Sequence, residues 1–228
     1  MKAADVMTRH VVSVTGDVSV RSIATMLLEH GISAVPVVDT DGKVIGMVSE
    51  GDLMRRHETQ TERRRPWWLR VFADPETTAG EYAKAHGRTA REVMTRDVIQ
   101  VSEDTAVDAI ADLLERHRIK RVPVTRDGRL VGIVSRANLL QGLASAPGLR
   151  PEIDADDRAI RLQLAGELEA RGFGAGVAPN IVVHDGVVHL WGSVASSTER
   201  NAVRVAAESI PGVVRVVDHT IVPPPILY

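Results

Sequence analysis

The chain repeats itself, and that repetition limits its fold more than any other feature. Ala4-Asp5-Val6-Met7-Thr8-Arg9 returns as Arg91-Glu92-Val93-Met94-Thr95-Arg96, and Val35-Pro36-Val37 returns as Val122-Pro123-Val124, both at an offset of 87 residues. Asp41-Gly42 then matches Asp127-Gly128, and Gly46-Met47-Val48-Ser49 matches Gly132-Ile133-Val134-Ser135, at an offset of 86. One residue has been lost between a strand and a turn, where loops tolerate it. Four blocks in the same order mark a tandem duplication.

Each copy carries the same alternation of elements. After Met7-Thr8, Val11 to Val14 reads as a short strand, and Val20, Ile23, Ala24 and Leu27 recur at helical spacing with Gly31 as the cap. Ser33 to Val38 and Val44 to Ser49 read as strands around the hairpin signal Asp41-Gly42, and another helix starts near Gly51. The second copy repeats this with Val107, Ile110, Ala111 and Leu114, with Arg121 to Val124 and Leu130 to Ser135, and with Asp104 as the expected N-cap. A unit of about 55 residues covers one face of its sheet and is marginal alone. Two copies can bury those faces against each other with pseudo-twofold symmetry, leaving clefts at the junction. The expected class is α/β (α+β).

Composition excludes several chemistries. The absence of cysteine removes disulfides, zinc ribbons, iron–sulfur clusters and a thiol nucleophile. Aromatics are 3% of the chain, so the core must be aliphatic. The net charge of −2, from 28 basic and 30 acidic residues, supplies no global field for nucleic acid or membrane. No apolar run reaches the length of about 18 that a spanning helix needs. Met1-Lys2-Ala3-Ala4-Asp5 opens no signal-peptide core, so a cytoplasmic protein is expected. The eight His contain no His-Glu-x-x-His, and neither a Gly-x-Ser-x-Gly elbow nor a Walker loop occurs. His184 and His189 read as strand residues, and Asp154-Ala155-Asp156-Asp157 as ordinary chemistry at a helix start. No metal ligands and no catalytic residues are expected, and the chain is expected not to be an enzyme.

The order Asp5-Val6-Met7-Thr8, then Ile32-Ser33-Ala34-Val35-Pro36-Val37-Val38, Asp41-Gly42 and Gly46-Met47-Val48-Ser49-Glu50-Gly51-Asp52 resembles a cystathionine-β-synthase (CBS) domain. Two in tandem resemble a Bateman module, with the first domain over residues 1–59 and the second over 87–146. The resemblance implies an adenosine-nucleotide site (AMP, ADP or ATP, with NAD(P) as a further candidate) and a homodimer formed through the module. The family's motif Gly-x-x-Ser/Thr-x-x-Asp is complete at Gly46, Ser49 and Asp52. By this resemblance Ser49 lies near phosphate and Asp52 on ribose hydroxyls, while the Val35-Pro36 and Val122-Pro123 edges sandwich adenine. A Ser at a strand end that runs into a helix start also suits an anion by itself. The second copy has Gly132, Ser135 and Asn138, so a neutral amide replaces the carboxylate. There Arg136 stands where the first copy has Glu50, and Arg suits phosphate. The two sites, with Arg121 a further candidate in the second, are therefore expected to be unequal. Ser or Asp at a helix start also has a plain capping role.

Residues 60–86 are read as an inserted linker. Around it, residues 55–73 carry six Arg against two Glu, a net +4, and Arg63-Arg64-Arg65-Pro66-Trp67-Trp68 places two of the three Trp among them. Three readings of Arg64, Arg65, Trp67 and Trp68 stay open: a plug for an apolar groove, a membrane or protein-partner contact, and a nucleic-acid contact.

After a Pro- and Gly-bearing linker at 147–153, the order αββαβ follows over residues 154–222, with a short tail at 223–228. Val188-His189-Leu190-Trp191-Gly192-Ser193-Val194 and the later Ile210-Pro211-Gly212-Val213 resemble a BON domain, a family implicated in phospholipid association. Six Arg against ten acidic residues over 151–228 would repel anionic headgroups, which favours a protein or small ligand there. The expected function is thus regulatory: nucleotide binding in the cleft alters module packing and presents the BON domain to an unknown client. The alternative is a ligand-free adaptor that tethers a partner or membrane surface.

Overall fold

The structure is a computed structural model that describes residues 1–54, 86–146, 155–173 and 178–223. The first repeat supplies α1 (Ala3–Val6), β1 (Val14–Thr15), α2 (Val20–Glu29), β2 (Ala34–Val38), β3 (Val44–Ser49) and α3 (Glu50–Leu53). The second supplies α4 (Ala90–Val93), β4 (Val101–Ser102), α5 (Val107–Arg116), β5 (Arg121–Arg126), β6 (Arg129–Ser135) and α6 (Arg136–Ser145). The last third gives α7 (Ala155–Ala170), β7 (Asn180–His184), β8 (Val187–Ser193), α8 (Ser197–Glu208) and β9 (Arg215–Ile221), the αββαβ order expected. Each third forms its own three-stranded mixed sheet, so the class is α+β. No helix among the described residues is long and apolar enough to cross a membrane.

The compact units cross the repeat boundaries. Among the described residues, one unit gathers those within Val12–Ile99 and Asp127–Leu130, and the other those within Met1–Val11, Gln100–Arg126 and Val131–Tyr228. Each repeat gives its leading Val-Met-Thr segment to the unit that holds the other repeat's sheet.

In the first unit β1 pairs parallel to β2 and β2 antiparallel to β3. Ser19 caps α2 by accepting from the Ser22 amide at 3.1 Å. The helix lays Val20, Ile23 and Leu27 onto Val35, Val37 and Val48, and the core is closed by Ala90, Val93 and Met94 from the second repeat's leading segment. That segment is pinned by Ala90 N–H to Val18 O (2.8 Å) and by a reciprocal Met47–Thr95 pair (both 2.9 Å). The strand residue Gly46 is required by this contact. A Cβ there would overlap Met94 Sδ and stand 2.8 Å from its Cγ.

The second unit repeats the arrangement with the roles exchanged. Ala3 N–H reaches Thr105 O (2.8 Å), Thr8 and Ile133 exchange 2.9 Å bonds, and Met7 lies on Gly132. Asp104 does not cap α5: the N-cap is Ala106, with no side-chain bond, and Asp104 instead accepts from Lys2 Nζ at 2.7 Å. Gly31 (φ 59°) ends α2 as expected, whereas Arg118 (φ 52°) must hold the same left-handed position after α5.

In the last third β7 runs antiparallel to β8 and β8 parallel to β9. α7 and α8 cover one face through Ile160, Leu164, Leu168, Val203, Ala207 and Ile210. The β7–β8 turn has positive φ at both Asp185 (50°) and Gly186 (72°), the two-residue pattern that favours Asp-Gly. Asp157, expected at the helix start, lies within the first turn of α7, and its buried carboxylate accepts from the Asp185 and Gly186 amides at 2.9 and 2.8 Å.

Candidate functional site

Two half-sites occupy corresponding strand-to-helix turns, one in each unit. In the first, β3 ends at Ser49 and α3 begins, because Asp52 reaches back to the strand end. Its Oδ2 accepts from the Ser49 amide at 2.9 Å and from Ser49 Oγ at 2.8 Å, so hydroxyl and carboxylate are held as one rigid group. Both residues are half-buried. Beside them β2 pairs Val35 with Val48 and Pro36 with Met47. Val35 has its side chain in the core, so it offers a ligand backbone rather than apolar surface.

In the second half-site the same capping box is drawn between Ser135 and Asn138. Asn138 Oδ1 accepts from the Ser135 amide (2.8 Å) and from Ser135 Oγ (2.6 Å). Its Nδ2 donates to Val6 O and to Thr8 Oγ1, both at 3.1 Å. The residue is 4% exposed, unlike Asp52. Val122 and Pro123 on β5 are buried, and Arg121 is half-buried. Arg136 is exposed and its Nη2 donates back to Ile119 O at 3.3 Å. The structure therefore brings Ser135, Asn138 and Thr8 together and turns Arg136 onto the backbone. Arg64, Arg65, Trp67 and Trp68 lie outside the described residues.

A polar seam around α1 has no counterpart in the sequence reading. Arg161 on α7 is 5% exposed. Its Nε, Nη1 and Nη2 donate to Ile181 O, Ala4 O and Met7 O, each at 2.7 Å. Burial, with a smaller contribution from neighbouring Arg9, pulls the guanidinium down to about 9, which still leaves it charged at neutral pH. Asn180 at the start of β7 donates to Val6 O (3.1 Å) and to Gln141 Oε1 (2.7 Å). Arg158 grips the buried Asp5 carboxylate with Nε (2.8 Å) and Nη2 (3.2 Å), and Trp191 Nε1 reaches Ser145 Oγ at the end of α6 (3.2 Å). The C-terminal carbonyls of α1 thus find their donors on α6 and on the last third of the chain. Elsewhere Asp157, His184 and Asp185 present ligand-type atoms within 4.8 Å of one another, though Asp157 is already engaged by two backbone amides.

On the sheet face away from α7 and α8, His189 Nδ1 lies 3.2 Å from His219 Nε2, and the Trp191 ring stacks on His219 with centroids 3.8 Å apart. Burial lowers the His189 pKa first, and the nearby His219, Arg215 and His184 lower it further. Below about pH 6.5 the unfolded chain then takes up a proton that the folded chain resists, so stability falls as the pH drops. Thermal melts at pH 5.5 should lie below those at pH 7.5, and His189→Gln should narrow the difference. An unchanged difference in that variant would remove His189 as the cause.

Compared with known proteins, the chain matches the CBS domain over residues 3–58 and 90–145 and the BON domain over residues 156–224. It is 32% identical to Uncharacterized protein MJ1426 of Methanocaldococcus jannaschii, across 63% of this chain and 91% of that protein. It is 26% identical to L-aspartate semialdehyde sulfurtransferase of the same organism across 59% of this chain, yet spans only 22% of that protein. Among solved structures, CBSX2 in complex with AMP matches with a TM-score of 0.55 and 25% identity, over 63% of this chain and 96% of that one.

Proposed function

The chain belongs to the CBS-domain family, as a tandem CBS pair followed by a BON domain, and from that premise we propose that it is a regulatory protein that binds an adenosine nucleotide at the Gly46–Ser49–Asp52 turn. The observation that carries this reading is the Ser49–Asp52 pair. A hydroxyl and a carboxylate are fixed 2.8 Å apart at a half-exposed strand end, in a fold whose solved relative CBSX2 was crystallised with AMP. A carboxylate at this half-buried strand end can accept from the vicinal hydroxyls of a ribose, and such charge-assisted bonds are about twice as strong as neutral ones. The role is ligand-responsive rather than catalytic, with a homodimer as the working assembly and the cytoplasm as its place.

Titration calorimetry with AMP, ADP, ATP and NAD tests the reading directly. At a nucleotide concentration 100 times its dissociation constant, the folded state gains about 2.7 kcal/mol, which a thermal shift would register. Absence of a shift with every nucleotide would sink the proposal. Asp52→Asn keeps an acceptor for the capping box but drops the charge, and should weaken binding about tenfold. Asp52→Ala removes both and should weaken it about a hundredfold, for at most about 1–2 kcal/mol of lost capping stability. Equal affinity in all three proteins would leave Asp52 a cap and nothing more.

A further inference from the structure

We propose that the BON domain is a lid on the second half-site: docked, it limits the chain to one bound nucleotide, and a second can bind only when it lifts. This rests on the reading of Gly46–Ser49–Asp52 as a nucleotide site and adds the regulation of its counterpart. The first support is the hydrogen-bond count at Asn138. An amide offers two N–H groups and two lone pairs. Ser135 takes both acceptor positions, and Val6 O and Thr8 Oγ1 take both hydrogens. Nothing on that side chain is left for a ribose hydroxyl while the Val6–Thr8 segment keeps its place, and BON-domain bonds to Ala4 O, Val6 O and Met7 O hold that segment.

The second support is what lies against it. Asn180 of the BON domain donates to Val6 O, the same carbonyl that Asn138 serves, and to Gln141 Oε1, which is itself 3.5 Å from Asn138 Nδ2. Arg161 then fixes the two flanking carbonyls of α1, Ala4 O and Met7 O, and Arg158 fixes Asp5. Trp191 ties the far end of α6 at Ser145. The BON domain therefore touches both the helix that carries Asn138 and the helix that Asn138 bonds. The Asp-to-Asn difference between the repeats gains a physical reason. A carboxylate at position 138 would face Val6 O and Gln141 Oε1 without a proton to give either.

Calorimetry of the full chain with AMP distinguishes the outcomes. The expected stoichiometry is one AMP per chain, at a site that Asp52→Ala weakens about a hundredfold. The double substitution Arg158→Ala/Asn180→Ala loosens the seam while leaving Arg161 in place, and should raise the stoichiometry to two. Asn138→Asp, which sets a carboxylate against the seam, should do the same. A cooperative melt for each variant establishes that it is folded. Two AMP per chain in the unaltered protein, or one AMP in both loosened variants, overturns the lid while the nucleotide reading stands. No AMP bound by any of these proteins removes the nucleotide reading, and the lid with it.

Discussion

Arg161→Ala should cost the second unit about 4 kcal/mol and free the BON domain from α1. The side chain supplies three 2.7 Å bonds to carbonyls from within the protein, and alanine supplies none. A hydrogen bond to a charged donor contributes about 1.5–3 kcal/mol, and each buried carbonyl left without a donor costs about 1–3 kcal/mol. Against this stands the burial of the guanidinium, whose lowered pKa records how strongly its charge is desolvated. Relief of that burial offsets part of the loss, which brings the sum into the range found when buried charged networks are broken. Arg161→Lys should recover only a fraction, because an ammonium on a flexible stem cannot serve three carbonyls in a planar fork. Urea unfolding should resolve the effect to one transition, since the unit within Val12–Ile99 contains none of these bonds. A loss below about 1 kcal/mol, or an equal loss in both transitions, would show that Arg161 does not hold the seam.

Why the sequence disclosed some of this and not the rest can be traced to particular residues. The repeat, the hairpins at Asp41-Gly42, Asp127-Gly128 and Asp185-Gly186, and the αββαβ order of the BON domain are written in local patterns: apolar spacing, turn pairs and a glycine cap at Gly31. Such signals need no knowledge of distant partners. Arg161 and Asn180 carry no local signal. One sits on a helix between Ile160 and Leu162 and the other opens a strand, and only the fold brings them to α1, 157 and 174 residues away along the chain from Ala4 and Val6 respectively. Asn138 was legible as a departure from the motif, but its reason was not, because Val6 and Thr8 lie more than a hundred residues upstream. Asp104 misled for a simpler cause: an acidic residue near a helix start fits the cap pattern, and a Lys2 partner from the other repeat claims it instead. The exchange of leading segments is hidden most deeply. Both copies carry Val-Met-Thr and both carry a receptive Gly-x-Val-Ser strand, so each segment has two chemically equivalent destinations.

That ambiguity can be settled by a crossed set of substitutions at Gly46 and Gly132. Gly46→Ala should destabilise the first unit by about 2–3 kcal/mol, since its methyl would overlap Met94 Sδ and approach Met94 Cγ to 2.8 Å in a closed core. Met94→Ala alone should cost about 2–5 kcal/mol through the cavity it leaves. Combined, the two should cost less than their sum by about 1–3 kcal/mol, because the new methyl occupies space the methionine has vacated. Met7→Ala should give Gly46→Ala no such relief, although Met7 belongs to the same repeat. Met7 lies on Gly132, with its Cγ 2.9 Å from where a Cβ would stand, so it should rescue Gly132→Ala and nothing else. The reverse pattern, with each methionine rescuing the glycine of its own repeat, would place every leading segment on its own sheet. It would also detach α1 from the BON seam, since the carbonyls that Arg161 and Asn180 hold belong to the first repeat's leading segment and reach the second unit only through the exchange. One set of melting curves therefore bears on both the exchange and the docking that depends on it.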